Sequence, residues 1–131
     1  MDMPVITSDG RDYIGVLEIP SVGIELPVIS EWSMDGLKKA PCRYSGSAYL
    51  GDLVICAHNY RSHFGLLSRV AIGDELRFTD ADGNVFAYEV AEVEVLRPDA
   101  IENMIRSEWD LTLFTCTLGG RTRLTVRCEM K

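Results

Sequence analysis

A chain of 131 residues, 47% apolar and 25% charged, is long enough to bury one hydrophobic core and short for two domains. Its formal net charge of −7 disfavours a nucleic-acid partner and adhesion to anionic lipid, since both require clustered Lys and Arg. No apolar run approaches the roughly 18 residues of a membrane span, and the opening "MDMPVITSDGRDY" lacks the basic start and apolar stretch of a secretory signal.

Residues 1–12 read as a polar leader, of the kind left below an upstream anchor, and 13–131 as the folded domain. "YIGVLEI" (13–19) and "IELPVI" (24–29) are β-rich runs separated by "PSVG", whose Pro and Gly supply turn dihedrals. "MDGLKKA" predicts a turn or two of helix. "DLVICAH" (52–58) is a continuous apolar run and predicts a strand buried on both faces. A second brief helix is expected in "HFGLLSRV". "ELRFT" and "VFAYEVAEVEVL" flank "DADGN", a hairpin signal with Gly83 where positive φ is needed. Phe86, Tyr88 and Val90 share one phase and Val93 and Val95 the other, which a bulge near Ala91 and Glu92 would reconcile. In "PDAIENMI", Asp99 and Glu102 have capping-box spacing. Many short strands with sparse helix predict an all-β fold, an antiparallel barrel or sandwich.

The four cysteines, Cys42, Cys56, Cys116 and Cys128, are irregularly spaced and include no CxxC, so they suggest neither a zinc cluster nor a dense disulfide framework. Cys116 ends the apolar run "TLFTC". It is either a small buried hydrophobe or a nucleophile at a strand end. His58 follows "LVICA" at another strand end, where it is either a structural histidine or the base such a thiol needs. Arg121, Arg123 and Arg127 share strand parity, so they form a solvated charged face or supply a guanidinium to an oxyanion. Two metal readings are weak. "DADGN" departs from EF-hand spacing, and Cys56, His58 and His63 lack a convincing fourth zinc ligand.

These residues resemble those of the sortases. "TLFTC" matches their TLxTC signature, "VICAHN" is similar to their strand-terminal histidine segment, and "RLTV" to the arginine-led strand after the cysteine. Further likenesses, such as "IGVLEIPSVGIELPVI" and "FGLLSRVAIGDELRFTDADGNVFAYEV", extend the resemblance over 13–129. It implies an antiparallel eight-stranded sortase-like barrel with a few short helices. It implies cysteine transpeptidation through a thioester, with Cys116 as nucleophile, His58 as proton carrier and Arg123 stabilising the oxyanion. Thr115, Asn59, Trp109 and Arg121 fall on the substrate side. The implied partners are a sorting-signal peptide of surface proteins and an amine from a cell-wall precursor or a pilin. A monomer, no cofactor and no metal are expected, with the native protein anchored at the extracellular face of a Gram-positive membrane. The rival readings are a catalytically silent barrel that binds a partner, and another cell-wall thiol acyltransferase such as an L,D-transpeptidase, whose compact Ser-His-Gly-Cys motif is missing from the sequence.

Overall fold

The computed structural model describes residues 3–57, 67–96, 109–115 and 123–131, with the backbone alone at Ser68, Leu96 and Arg123. The strands are β1 (Ile6–Ser8), β2 (Arg11–Ile19), β3 (Ile24–Ile29), β4 (Cys42–Ser45), β5 (Leu53–Ala57), β6 (Glu75–Asp80), β7 (Val85–Leu96), β8 (Leu111–Thr115) and β9 (Arg123–Met130). One short helix, α1 (Met34–Leu37), and two 3-10 turns (Pro20–Val22 and Leu67–Arg69) complete the described elements. The predicted strands at 13–19, 24–29, 52–58 and 75–96 are all present to within a residue or two. The Asp99 and Glu102 capping box and the first half of "HFGLLSRV", residues 63–66, lie outside the described residues, and the second half holds the 3-10 turn Leu67–Arg69.

The sheet runs β2-β3-β4-β5-β8-β9-β7-β6, and β6 pairs back onto β2, closing an eight-stranded barrel with β1 added beside the start of β2. The expected barrel is therefore the fold observed, with one refinement to its pairing. β3–β4 and β5–β8 are parallel, the remaining pairs antiparallel. An apolar run such as "LVICA" specifies burial on both faces but not the direction of its neighbour.

Two apolar clusters divide the buried side chains. Ile14, Leu17, Leu53, Ile55, Phe78, Tyr88, Leu111, Leu113, Val126 and Cys128 belong to the larger one, filling the barrel. Ile29, Leu37, Ala40, Cys42, Val54, Cys56 and Phe114 form the second, on the outer face of β4, β5 and β8. α1 contributes Leu37 to that cover; Ser33 caps it by accepting the Gly36 N–H at 2.8 Å, and an Arg11–Asp35 ion pair ties it to β2.

The "DADGN" hairpin forms as predicted, with Gly83 at φ 87°. Asp80, only 5% exposed, organises it: its Oδ1 accepts the N–H of Asp82 at 3.0 Å and of Asn84 at 2.8 Å, while the Tyr49 hydroxyl donates to Oδ2. The bulge in β7 falls between Val90 and Glu92 and brings Val93 opposite the core residue Val126. Even so, Val93 and Val95 are 36% and 65% exposed. β6 stops pairing at Glu75↔Glu89 and Gly73 and Asp74 carry the backbone bonds on to Val90, so among the described residues only β9 pairs with β7 beside these valines.

Closure depends on Gly15, where β2 is hydrogen-bonded to β3 on one side and β6 on the other and its register slips after Tyr13. Gly15 sits at φ 155°, and a Cβ there would lie 2.1 Å from the Thr79 carbonyl oxygen, a backbone atom of β6. Gly15→Ala is expected to lower unfolding stability by more than about 2 kcal/mol. Gly10→Ala, at φ 78° with nothing within 4 Å of the added carbon, should lose only about 1 kcal/mol. Urea melts of the two variants check the difference, and equal losses would mean that close approach at Gly15 is not what limits closure.

The Tyr88 hydroxyl is buried in the barrel without a hydrogen-bond partner among the described residues, and burial pushes its pKa up. Tyr88→Phe removes the orphan oxygen and keeps the ring, so stability should rise by about 1 kcal/mol. A lower melting midpoint in this variant would show that the hydroxyl is stabilising after all.

Candidate active site at the end of the parallel strand pair

β5 and β8 form the floor of the site. All five residues of each strand are buried. Alternation sends Leu53, Ile55 and Ala57, with Leu111 and Leu113, into the barrel, and Val54, Cys56 and Phe114 to the outer cluster. Their register is unbroken from Leu53↔Leu111 to Ala57↔Thr115, so the two strands end side by side. β9 runs antiparallel along the other edge of β8, pairing Phe114 with Thr125. Cys56, Phe114 and Thr125 thus make one cross-strand row on the outer face, one step below the ends of β5 and β8.

The end of β8 is pinned. Thr115 is 6% exposed, and its Oγ1 accepts the Leu124 N–H at 3.2 Å. An aromatic path runs across the outer face to Phe114: Tyr44 meets it edge-to-face with centroids 5.4 Å apart, and Trp32 meets Tyr44 in the same manner at 6.3 Å. Trp32 is 43% exposed, so the path leads from solvent to a ring two residues before Cys116 in the sequence.

Of the residues predicted from sequence, His58, Asn59, Cys116 and Arg121 lie outside the described residues, as does His63. Arg123 begins β9 with its backbone opposite Leu96, at the same end of the sheet as Thr115. Trp109 is half-buried before the start of β8, with the whole strand between it and the Thr115 end. An open hollow of about 410 Å³ lies over β2 between β1 and β6; its lining includes Ile6, Tyr13, Val16 and Asp80 and no residue of β5, β8 or β9.

Arg127 departs from the solvated face allowed by its parity. It is 2% exposed, its Nε is 3.0 Å from Glu94 Oε2, and its Nη1 donates to Thr112 Oγ1 at 3.2 Å. This strut joins β7, β9 and β8 on the outer face. Its sequence signal was the acidic alternation of "VAEVEVL": Glu92 and Glu94 occupy the β7 phase that faces the arginine phase of β9. Cys128, with opposite parity, belongs to the barrel core, and burial pushes its thiol up to about 12. A thiol so placed is neither a nucleophile nor an acid–base group near neutrality.

The sortase domain model matches residues 17–131. Sortase D of Bacillus subtilis (strain 168) is 30% identical over 107 residues, covering 78% of this chain and 53% of the relative. The chain therefore spans about half the length of that curated relative. Sortase C from Clostridium perfringens, solved with the C-terminal cell wall sorting motif, is similar with a TM-score of 0.78 and 29% identity, over 92% of this chain and 71% of that one. Sortase C1 from Streptococcus agalactiae is similar with a TM-score of 0.80 and 25% identity, over 95% and 70% of the two chains.

Arg127→Met should lower unfolding stability by about 2–4 kcal/mol, because it strands the Glu94 carboxylate and the buried Thr112 hydroxyl without their guanidinium. A denaturant melt checks this. A change below about 0.5 kcal/mol would assign Arg127 to the exposed-pair class, where such interactions contribute little.

Proposed function

Because the chain belongs to the sortase family, we propose that it is a cysteine transpeptidase working at the Ala57 and Thr115 strand ends. The observation that carries the reading is register. Cys56, Phe114 and Thr125 stand in one row. Two residues on from Cys56 along the chain is His58, two on from Phe114 is Cys116, and two before Thr125 is Arg123. We take the same pairing to extend two residues beyond this row, which would set a histidine, a cysteine and an arginine together, the residue types that thiol acyl transfer needs.

In the proposed reaction the Cys116 thiolate attacks a backbone carbonyl of a sorting-signal peptide. Charge develops on the carbonyl oxygen, where the Arg123 guanidinium stabilises it through planar N–H donors. The C–N bond breaks as protonated His58 gives its proton to the leaving amine, and a thioester remains. An incoming amine then attacks the thioester, His58 takes its proton, and the C–S bond breaks to release a new amide and the Cys116 thiolate. Thr115, Asn59 and Arg121 are assigned to the substrate side of this reaction. The C. perfringens sortase C solved with a sorting motif supports a peptide substrate of that class. The amine acceptor is a cell-wall precursor or a pilin lysine, and the reaction takes place at the extracellular face of the membrane. Among the described residues no helix is long and apolar enough to cross a membrane.

A labelled sorting peptide tests the assignment by cleavage rate and by mass detection of the acyl-enzyme. Cys116→Ala and His58→Ala should abolish turnover, and Arg123→Lys should reduce it by at least about 100-fold, because a point-charge ammonium does not reproduce the guanidinium donors. His63→Ala and Arg121→Ala should stay within a few-fold of wild type. Cleavage persisting without Cys116 would exclude the thioester, and collapse at Arg121 with Arg123 unaffected would transfer the oxyanion role to Arg121. A Cys116 thiol no more reactive than the other three towards a substrate-like electrophile would favour the silent binding barrel.

A further inference from the structure

Two cysteines outside the proposed chemistry face each other. Cys42 in β4 is the direct antiparallel partner of Cys56 in β5, both are fully buried thiols, and both belong to the outer cluster. Directly opposed residues on antiparallel strands project to the same face with Cα atoms about 4.5 or 5.5 Å apart, depending on the hydrogen-bonding phase. Both separations fall in the range of roughly 4.4–6.8 Å that a disulfide spans. We propose that Cys42 and Cys56 are an oxidation site, a cross-strand dithiol that closes to a disulfide and staples β4 to β5.

The cover over the pair also fits this role. Cys42 Sγ lies under α1, and a Cβ at Gly36 would be 3.2 Å from it, so the glycine is what lets the helix rest on the thiol. α1 has four residues and cannot hold itself by helical propensity. It is fastened by the Ser33 cap and by the Arg11–Asp35 ion pair at the surface. Lifting this one turn is a local opening rather than an unfolding of the barrel, and it exposes the side of Cys42 that Gly36 covers. Cys128, enclosed in the barrel, has no such short cover.

The co-reactant is a low-molecular-weight disulfide. One thiolate of the pair attacks it, forming a mixed disulfide and releasing one small thiol. The second thiolate then displaces the remaining small thiol and forms the Cys42–Cys56 bond. Two electrons pass from the protein dithiol to the reagent, and two protons leave on the two small thiols. Cys56 is two residues before His58 in the sequence, so the bond braces the strand that leads into the proposed site, although the oxidation does not depend on the catalytic reading.

The test uses Cys116→Ala, so that the strand-end thiol takes no part. The reduced protein is incubated with oxidised glutathione in two ways, folded and while refolding from urea, so that access does not limit the reaction. Remaining thiols are alkylated in denaturant, and the protein is digested with trypsin without reduction. Cleavage after Arg43 separates the two cysteines, so a disulfide appears as peptide 40–43 linked to peptide 44–61, lost on reduction. The expected result is this linked pair with Cys128 alkylated, and a melting midpoint higher in the oxidised than in the reduced protein. Alkylated Cys42 and Cys56 after refolding, glutathione retained on either, or a link from either to Cys128 would overturn the proposal.

Discussion

The parallel pairing of β5 with β8 is the constraint on which the rest of the molecule hangs. A strand pair buried on both faces needs apolar cover inside and outside, and this one sits on the barrel core on one side and the α1 cluster on the other. The two strands also run in the same direction, so both end at one level, at Ala57 and Thr115. Antiparallel neighbours would have sent those ends to opposite rims. Direction is therefore what sets Ala57 and Thr115 beside one another, and double burial is what keeps the two strands from shifting.

Closing the barrel puts a complementary demand on the far side. β2 accepts three neighbours along its length, β1 at its start, β3 throughout and β6 after the register slip at Gly15. The Asp80 network lies at that same seam, where Gly15 pairs with Asp80 and the Tyr49 hydroxyl reaches the carboxylate. Tyr49 comes from the segment between β4 and β5, so one buried carboxylate ties the β6–β7 hairpin to the approach of the floor strands. A seam with bulge, glycine and hydrogen-bonded carboxylate is how a twisted sheet meets itself without losing backbone partners.

Much of this was legible in the sequence, and the exceptions share a cause. Strand positions follow from alternation and turn residues, and Gly83, the β7 bulge and the double burial of "LVICA" all rest on such local signals. What the local signals omit is who stands beside whom. The phase of Val93 and Val95 is core phase, yet they are exposed because β6 ends earlier than β7. Arg127 shares the parity of Arg123, yet it is buried because Glu94 and Thr112 come from two other strands. Trp109 lies close to Thr115 along the chain, but a full strand separates them in space. The proposed catalytic residues were named from their chemistry and from family resemblance, and the described strands contribute the register of the rows that precede them in the sequence.

Position rather than residue type decides what each thiol can do. Cys128 is enclosed in the barrel, where desolvation raises its pKa to about 12 and leaves it a small hydrophobe. Cys42 and Cys56 are as buried, but they lie on the outer face, opposite one another, with a turn of helix against Cys42, so the chemistry proposed for them is with each other. Cys116 follows Thr115 of β8 in the sequence, and in the proposed function it is the thiol served by a base and a cation. Parity separates Cys128 from the outer face, and register makes a pair of Cys42 and Cys56. A one-residue slip of β8 against β5 would leave its composition unchanged and exchange the two faces, sending Phe114 into the barrel. The buried alternation of Leu111, Leu113 and Phe114 between the two clusters is therefore what fixes which face of β8 looks outward.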